Sequence, residues 1–284
     1  MTQPLLVCDL PSLMYRAYYA LPRSIKGSDG QPVNALLGTA NAVLAVCEEH
    51  SPRAVVLCDG AEAATYRVNA FPDYHAKREP MPDRLAHQFA IGPQLWKALA
   101  WTQVDGGELE ADDLMAAYAA KEERALGTTL IMTGDRDLLQ CANDSTTILL
   151  TRPGSKGTAA LRAKDVTELL GVRPEQVPDL IALRGDPSDG IPGAPGIGAK
   201  GAVDLLQRHT TLEQVIANAA GEKPRTAAAL SENAELLQMF KSIGTVQLPR
   251  VRAVADRQTN FARGAKSAEL LGMARLAARL REAA

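Results

Sequence analysis

Nine acidic side chains fall in a few short segments of the chain, and carboxylates grouped in this way can hold metal ions. Three of them, Glu110, Asp112 and Asp113, lie in "ELEADD", directly before an apolar helical pattern. Acids suit a helix start because they complement its positive end and accept hydrogen bonds from free N–H groups. Three carboxylates at one helix start also repel one another, and a bound cation relieves that repulsion. Helix capping and metal binding are therefore both open for this segment.

The remaining six acids follow short apolar runs, as in "LLVCD" and "AVVLCD", or lie in "TGDRD" and "GDPSDG". They are Asp9, Asp59, Asp135, Asp137, Asp186 and Asp189. Each of them alone is typical of a turn, because aspartate is a common turn residue. Nine acids from five segments are harder to explain by turns, and together they indicate a common site.

The elements around these acids predict where they meet. Short apolar runs predict buried parallel strands, which we expect at residues 5–8, 54–58, 128–132 and 146–150, with a further strand near 101–104. Helical patterns are expected at about 12–20, 34–49, 83–100 and 111–124. This alternation predicts an α/β fold with a mostly parallel sheet. Such sheets bind ligands in the crevice at the carboxyl ends of their strands, where we expect the acids to lie.

The donor atoms indicate which metal such a site prefers. Oxygen-only sites suit Mg²⁺ or Mn²⁺, whereas zinc and iron sites generally recruit His or Cys. The four histidines lie outside every acidic motif. Ca²⁺ buffering is a weaker alternative, since neither "DRD" nor "DPSDG" continues into an EF-hand loop. Two divalent ions about 3.5–4 Å apart can activate a water and stabilise the leaving oxygen in phosphodiester cleavage.

Composition limits the setting of this chemistry. The 284 residues are 46% hydrophobic, which is enough for one large or two modest domains. The four cysteines show no C-x-x-C spacing, which suits a reducing cytoplasm. The N-terminus lacks the basic region of a signal peptide, and no apolar run reaches the length of a membrane span. We expect a soluble cytoplasmic protein with no membrane partner.

A glycine-rich loop, "GIPGAPGIGAK", lies between two helical patterns. Glycines allow backbone N–H groups to approach a phosphate, and a helix start and a lysine add positive charge. We expect DNA-backbone contacts here from Gly196, Ile197, Gly198 and Lys200. A tight turn between helices is the alternative. Further phosphate contacts are expected from Arg16, Arg23, Lys26, Arg67, Lys77, Arg78 and Arg84.

Five motifs carry a family resemblance: "SLMYRAYYALP", "YHAKREPMP", "ELEADD", "TGDRDLLQ" and "GDPSDGIPGAPGIGAKGA". With these motifs, the chain resembles the bacterial 5′ nuclease (flap endonuclease) family, which includes the N-terminal nuclease domain of bacterial DNA polymerase I. The resemblance implies a PIN-like α/β nuclease core over residues 1–155, with a helical arch at about 66–100. It also implies a helical DNA-binding region over residues 156–284, with a helix–three-turn–helix clamp at about 174–209.

The resemblance also implies a role for each acid. The first metal ion would be held by Asp9, Asp59, Glu110 and Asp112. The second would share Asp112 as a bridge and add Asp135, Asp137, Asp186 and Asp189. Asp113 would act through a water molecule. The implied cofactor is Mg²⁺ or Mn²⁺, with at least two ions per active site, and K⁺ is expected at the DNA clamp.

In this family, basic residues of the arch contact the scissile phosphate, so Lys77 and Arg78 are the catalytic candidates. Arg78 matches the arginine of the motif, but His75 stands where the polymerase-linked relatives usually have lysine. That role then passes to Lys77, or the activity becomes more dependent on pH. Gly190 replaces the usual asparagine after "SD", which affects the local turn. The resemblance leaves three further DNA contacts: Arg16, Arg67 and His75.

The implied activity is hydrolysis of phosphodiester bonds at 5′ flaps, nicks or gaps in duplex DNA and at RNA primers, in replication and repair. The chain length predicts a stand-alone monomeric nuclease that acts in the cytoplasm at the nucleoid. Its partner would be branched or nicked duplex DNA with a 5′ single-stranded end, or RNA-primed DNA. Two alternatives stay open: a DNA-structure-binding scaffold without turnover, and a single-strand ribonuclease on the same PIN-like core. The complete set of acids favours an active enzyme, and the clamp loop favours a duplex.

Overall fold

A six-stranded sheet forms the centre of the N-terminal half in the computed structural model, which describes residues 3–152 and 157–284. Its strands are β1 (Leu5–Asp9), β2 (Ala54–Asp59), β3 (Thr102–Asp105), β4 (Thr129–Thr133), β5 (Thr146–Thr151) and β6 (Thr158–Leu161). They lie in the order β3-β2-β1-β4-β5-β6. Strands β1 to β5 are parallel, and β6 is antiparallel at the edge. The predicted α/β class with a mostly parallel sheet is confirmed.

Helices cover the sheet and form the C-terminal half. Those of the first half are α1 (Leu10–Ala20), α2 (Asn34–His50), α3 (Thr65–Ala70), α4 (Asp83–Ala98) and α5 (Ala111–Arg124). Those of the second half are α6 (Ala163–Leu170), α7 (Val177–Arg184), α8 (Ala199–His209), α9 (Leu212–Ala217), α10 (Pro224–Glu232), α11 (Ala234–Gly244), α12 (Phe261–Leu270) and α13 (Ala274–Glu282). In the described part of the chain, none of these helices is both long and apolar enough to cross a membrane.

The strands bury side chains on both faces of the sheet, as expected for parallel strands between helices. Along β1, Leu5 and Val7 belong to one apolar cluster, and Leu6 and Cys8 belong to another. This alternation is the two-residue period of a strand. The first cluster continues into α5, α7, α8 and α11, and the second contains α1, α2, α4, α12 and α13. The C-terminal helices therefore share their cores with the sheet, which holds the loops between them at a fixed place beside it.

The strand order reverses between β1 and β4. These two strands are neighbours although β2 and β3 lie between them in the sequence. The chain leaves β1 toward one side and β4 toward the other, and a crevice opens at such a point above the carboxyl ends. Asp9 ends β1 and Thr133 ends β4. The topology thus places the acids that follow both strands at the edge of one crevice.

Most predicted elements are confirmed, with two differences. The predicted strands and helices agree with the observed ones within two residues at each end. Strand β6 was not predicted, because "TAAL" is short and largely without bulky apolar side chains. A strand is also expected from the sequence at residues 245–248 ("TVQL"), and this is wrong: the structure includes them in none of the six strands that it describes. The Val246 N–H donates instead to the side chain of Gln140.

The predicted domain boundary between residues 155 and 156 lies outside the described residues. Beyond it, β6 pairs with β5, so the sheet continues to Leu161. The predicted arch at about 66–100 contains α3 and α4, joined by an irregular segment at residues 71–82. That segment lies beside the crevice, and the predicted clamp at about 174–209 contains α7, a loop and α8.

Candidate active site

One cleft of about 990 Å³ lies above the carboxyl edge of the sheet, and eight of the nine predicted acids line it. They come from the ends of β1 and β2, the start of α5, the segment after β4, and the loop between α7 and α8. The eight are Asp9, Asp59, Glu110, Asp112, Asp135, Asp137, Asp186 and Asp189. The fold therefore brings together five acidic segments that are widely separated in the sequence.

Two of these carboxylates are fixed by the strands that they end. Asp9 also caps α1: its Oδ1 accepts from the Ser12 N–H at 3.0 Å, and its Oδ2 accepts from the Thr133 hydroxyl at 2.7 Å. The Oδ2 of Asp59 accepts from the side chain of Gln103 at 3.1 Å. Each carboxylate oxygen has two lone pairs, so a capping carboxylate can still bind a cation. Capping and metal binding are compatible at these positions.

The segment after β4 is held by a tight turn. The Asp135 N–H donates to Thr133 Oγ1 at 2.9 Å, and Asp135 Oδ1 accepts from the Asp137 N–H at 2.8 Å. A short 3₁₀ helix, Asp137–Cys141, begins there. Across the cleft, Asp186 Oδ1 accepts from the Ser188 N–H at 2.9 Å. Turn chemistry thus sets the backbone of both segments, while their carboxylates border the same cleft.

Burial and mutual repulsion disfavour the charged forms of these carboxylates. Burial first, and the charges of Asp135 and Asp59 next, raise the pKa of Asp9 to about 6. Burial, followed by repulsion from Asp135, raises the pKa of Asp112 and of Asp137 well above the usual range of aspartate. Burial also raises the pKa of Asp59 and of Asp135. A bound cation would favour the charged forms and remove this penalty.

The donor set fits hard divalent cations, because all eight acids offer only carboxylate oxygens. Within residues 3–152 and 157–284, no three His, Cys, Asp or Glu side chains already converge closely enough to hold an ion by themselves. The carboxylates instead surround the cleft, and several of them accept bonds from N–H or hydroxyl groups. Mg²⁺ keeps several waters and usually takes only one or two carboxylates, so this spacing suits it. The assignment of each acid to one of two ions stays a prediction.

Asp113 is the exception among the nine predicted ligands. It is fully buried and does not line the cleft. Its Oδ1 accepts from the Gln247 N–H at 2.7 Å and from the Tyr66 hydroxyl at 3.2 Å, and it lies 3.2 Å from an Arg67 nitrogen. Neighbouring residues on a helix face directions about 100° apart, so Asp112 and Asp113 cannot serve one site equally. The structure contradicts the predicted role of Asp113 at a metal.

Arg67 was predicted to contact DNA, and the structure contradicts this as well. Only 3% of its surface is exposed. Its guanidinium pairs with Glu110 at 2.8 Å and with Asp113 at 3.2 Å, and its Nε donates to the Ile243 carbonyl at 2.9 Å. The five donors of a guanidinium suit such a junction, and these protein partners engage the guanidinium although Arg67 borders the cleft. Arg67 therefore joins α3, the start of α5 and the end of α11.

Glu110 connects this buried network to the cleft. Its Oε1 accepts from the Ala64 N–H at 2.7 Å, and its Oε2 accepts from the Tyr74 hydroxyl at 3.2 Å and pairs with Arg67. The side chain also lines the cleft. Its orientation is therefore set by a backbone N–H and by Tyr74 and Arg67, which line the same cleft.

His75 is buried, and both of its ring nitrogens already have partners. Its Nε2 lies 2.9 Å from Asp189 Oδ1, and its Nδ1 lies 2.8 Å from the Glu62 carbonyl oxygen. The ring also stacks on Tyr74, with ring centres 3.9 Å apart. The predicted DNA contact by His75 is therefore contradicted, because the residue fastens segment 71–82 to the α7–α8 loop.

The two catalytic candidates of the arch differ in position. Arg78 lines the cleft, and its guanidinium lies 3.4 Å from Asp189 Oδ1 while half of the side chain stays exposed. Lys77 is exposed but is not part of the lining. Arg16, a predicted DNA contact, is half-buried on α1 and also lies outside the lining. Of these cations, Arg78 is the one placed to meet a phosphate within the cleft.

The loop between α7 and α8 approaches its own backbone and segment 71–82 closely. A Cβ at Gly193 would lie 2.3 Å from the Gly185 nitrogen, and both residues have positive φ. Gly190 has a φ of +80°, and a Cβ there would lie 2.8 Å from the Asp73 carbonyl oxygen. Glycine meets these requirements because it lacks a Cβ. The glycine at position 190, where asparagine was expected, therefore permits a close contact between the loop and segment 71–82.

The end of this loop carries the predicted clamp residues. Gly196 has a φ of +78°, and Gly198 is the N-cap of α8 without a side-chain capping bond. Lys200 is exposed in the first turn of that helix. Ile197 is buried, and its N–H donates to the Ala194 carbonyl at 3.0 Å. Ile197 thus anchors the loop, contrary to its predicted role as a DNA contact, while the other three stay candidates.

Sequence reasoning missed the neutral side chains that orient the acids. Thr133 bonds Asp9, Gln103 bonds Asp59, and Tyr74 bonds the glutamate at the start of α5. Thr133 could have been found from its position in "TGDRD", at the carboxyl end of a predicted strand. Tyr74 could have been found in "YHAKREPMP". Gln103 carries no signal, because an amide within a strand has no pattern that distinguishes it.

Two family models match the chain in succession. The model described as "5′-3′ exonuclease, N-terminal resolvase-like domain" matches residues 4–171. The model described as "5′-3′ exonuclease, C-terminal SAM fold" matches residues 172–260. Together they cover the sheet, the cleft and the helices that carry the α7–α8 loop.

Individual relatives agree with this match. A 5′-3′ exonuclease of Streptomyces coelicolor is 36% identical over 235 residues, which are 78% of this chain and 77% of that protein. DNA polymerase I of Mycobacterium tuberculosis is 32% identical over 253 residues, which are 86% of this chain but only 28% of the polymerase. A flap endonuclease of bacteriophage T5, solved with DNA and metal ions, has the same fold, with a TM-score of 0.69, 19% identity and 98% coverage of both chains. With both domain models matched in order and a relative aligned over most of its length, the chain belongs to the 5′-3′ exonuclease family.

Proposed function

We propose that the protein is a metal-dependent 5′ nuclease that hydrolyses phosphodiester bonds at 5′ flaps, nicks or gaps in duplex DNA and at RNA primers. The observation that carries the proposal is the cleft that brings together eight of the nine predicted acids from five segments. Burial raises the pKa of several of them, so the charged cluster destabilises the fold unless a cation binds. Because the chain belongs to a nuclease family, the bound cation would take part in phosphodiester hydrolysis.

The carboxylates divide into two overlapping sets. Asp9, Asp59, Glu110 and Asp112 would hold one Mg²⁺ or Mn²⁺ ion, and Asp112 with Asp135, Asp137, Asp186 and Asp189 would hold the other. Divalent ions at such a site activate water and stabilise the leaving oxygen of a phosphodiester. The Thr133 hydroxyl and the Ser12 N–H fix the orientation of Asp9. Arg78, exposed at the edge of the cleft, binds the entering phosphate through its guanidinium.

The α7–α8 loop supports a duplex as the substrate. Gly196, Gly198 and Lys200 lie on its surface at the start of a helix, where backbone N–H groups and positive charge bind a phosphate. The T5 relative was solved with DNA, which agrees with this assignment. We also propose that K⁺ binds at this loop and that the enzyme acts as a monomer.

Cleavage of a labelled 5′-flap duplex in the presence of Mn²⁺ or Mg²⁺ tests the proposal. The wild-type protein should release the flap, a chelator should stop the reaction, and Asp135→Ala should abolish it. Asp144→Ala is the matched control, because Asp144 is an exposed aspartate after the same strand and outside the cleft. Binding without metal-dependent cleavage would favour a scaffold instead. Faster cleavage of single-stranded RNA than of flap DNA would favour a ribonuclease.

A further inference from the structure

Three apolar side chains form a rim at the cleft, and the proposed reaction makes no use of them. They are Tyr19, Met81 and Phe89, which line the cleft together with the acids and are called the apolar rim below. Aromatic residues make up only 4% of this chain, and Tyr19 is one of them that is mostly exposed, at 66%. The preceding residue, Tyr18, is buried. An aromatic ring exposed beside a cleft is available to a ligand that enters the cleft.

Helix α1 connects the apolar rim to the carboxylates. Ser12, Tyr15 and Tyr19 are three and four residues apart, so they share one helix face. Ser12 bonds Asp9 at one end of this face, and the Tyr15 hydroxyl donates to Glu62 at 3.0 Å in the middle. A rise of about 1.5 Å per residue places Tyr19 roughly 15 Å along the axis from Asp9. About four stacked nucleotides of one strand, at 3.4 Å each, would span that distance.

The ring of Tyr19 is held in place from behind. It meets the ring of Tyr18 edge-on, with centres 5.2 Å apart and planes 82° apart. The Arg23 guanidinium lies 4.9 Å from the centre of the Tyr18 ring. This packing fixes the ring of Tyr19 while most of its surface stays exposed. A rigid aromatic face beside cations is the arrangement by which proteins bind the bases of a single strand.

The surroundings of the apolar rim identify its occupant. Met81 lies before α4 and Phe89 within it, and both pack against the apolar cluster that contains α1, so the apolar rim joins α1 to the α4 region at the cleft. Arg78 lines the same cleft, and Arg84 is exposed, between Met81 and Phe89 in the sequence. A ligand with flat apolar faces on an anionic backbone matches this combination. We propose that the apolar rim stacks a nucleobase of the single-stranded 5′ strand as that strand enters the cleft; this rests on the proposed function.

Binding in the absence of cleavage tests the proposal. The Kd of a fluorescent 5′-flap duplex is measured by anisotropy with a chelator present, for the wild type, Tyr19→Ala and Tyr19→Phe. We expect a Kd roughly tenfold higher for Tyr19→Ala, because stacking on an aromatic side chain contributes this much per base or more. Tyr19→Phe should bind like the wild type. Leu270→Ala, at a residue 77% exposed on α12, is the control for loss of an exposed apolar side chain.

A walk of single abasic nucleotides along the flap identifies the base. At one flap position the abasic substitution should weaken the wild type to the level of Tyr19→Ala and leave that variant unchanged. Equal binding by the wild type and Tyr19→Ala overturns the proposal. So does a loss that is the same for every abasic position, or one that depends on a base of the template strand. The readout is binding, so a failure of the nuclease proposal would appear separately, as an absence of cleavage with these Kd values unaffected.

Discussion

The acids on the two sides of the first turn of α5 lie in opposite electrostatic settings. On the cleft side, Asp112 lies near Asp9 and Asp135, and burial with their repulsion raises its pKa well above the usual range. On the buried side, burial also raises the pKa of Asp113, but Arg67, the Gln247 N–H and Tyr66 oppose that rise. The fold thus pairs Asp113 directly with the guanidinium of Arg67, whereas Asp112 is in no ion pair of the described residues, and the arginines that line the cleft are fewer than its acids.

This difference separates structural acids from acids that require a ligand. A buried carboxylate with a guanidinium and hydrogen bonds is a complete structural unit, although such units add little net stability. A group of buried carboxylates without enough cations is incomplete, and divalent ions complete it. Substitutions on the cleft side and on the buried side of α5 should therefore differ in their effects on cleavage and on stability.

The largest effect is expected from Asp112→Asn. The change removes the acid that the proposal assigns to both metal ions and leaves the shape nearly unchanged, so cleavage should fall by roughly 10³-fold or more, equivalent to about 4 kcal/mol. The metal-free protein should be as stable as the wild type or more so, because repulsion among buried carboxylates decreases. Flap cleavage and thermal unfolding measure the two effects, with Asp144→Asn as the control. If Asp112→Asn lost stability as well as activity, Asp112 would be a structural acid like Asp113.

In contrast to Asp112→Asn, Arg67→Met is expected to destabilise the metal-free protein. The substitution keeps an apolar stem but leaves Glu110 and Asp113 buried without their cation, so unfolding should become easier by about 3–5 kcal/mol. Urea unfolding of the metal-free protein measures this. Arg84→Met, at an exposed residue, should change stability little. If Arg67→Met were as stable as the wild type but bound DNA weakly, the result would support the predicted DNA contact of Arg67 and not its structural role.

The acids on the cleft side of α5 could be predicted from the sequence better than the contacts on its buried side. Acids at the ends of apolar runs indicate a shared crevice, because parallel strands fix where their carboxyl ends lie. Asp112 and Asp113 are identical in type and adjacent, so their roles depend on helix rotation and on what packs behind. The partner of Asp113 at Gln247 is 134 residues away, in the segment where a strand was wrongly expected. His75 lies outside every acidic motif in the sequence, yet the fold places it against Asp189.

Divalent metal should stabilise the protein more at pH 7.5 than at pH 5. The pKa of Asp9 is raised to about 6, so its ionisation in the folded state destabilises the metal-free protein as pH rises from about 4 to above 6. Mg²⁺ at about 100 times its Kd should add about 2.7 kcal/mol at neutral pH. Near pH 5 Asp9 is mostly protonated, and ions compete with protons for the site.

Thermal unfolding with and without MgCl₂, at constant ionic strength and two pH values, measures this difference. An increase in Tm of roughly 5–10 °C at pH 7.5 and a smaller one at pH 5 are expected. Asp112→Asn should lose most of the increase, whereas Leu270→Ala should keep it. An increase that is equal at both pH values would show that the ions bind elsewhere than at the cleft carboxylates.

The smallest effect concerns His75, one of the residues of segment 71–82 that contact a cleft acid. His75→Ala removes the bonds to Asp189 and to the Glu62 carbonyl, and kcat/KM for flap cleavage should fall roughly tenfold, equivalent to about 1.4 kcal/mol. His75→Lys places an ammonium donor beside Asp189 and should recover most of the activity. His87→Ala is the matched control, because His87 pairs with Asp29 at 2.8 Å at an exposed site outside the cleft. If His75→Ala and His75→Lys lose activity equally, the shape of the imidazole ring matters more than a donor beside Asp189, and the cleft side would then depend on packing as the buried side does.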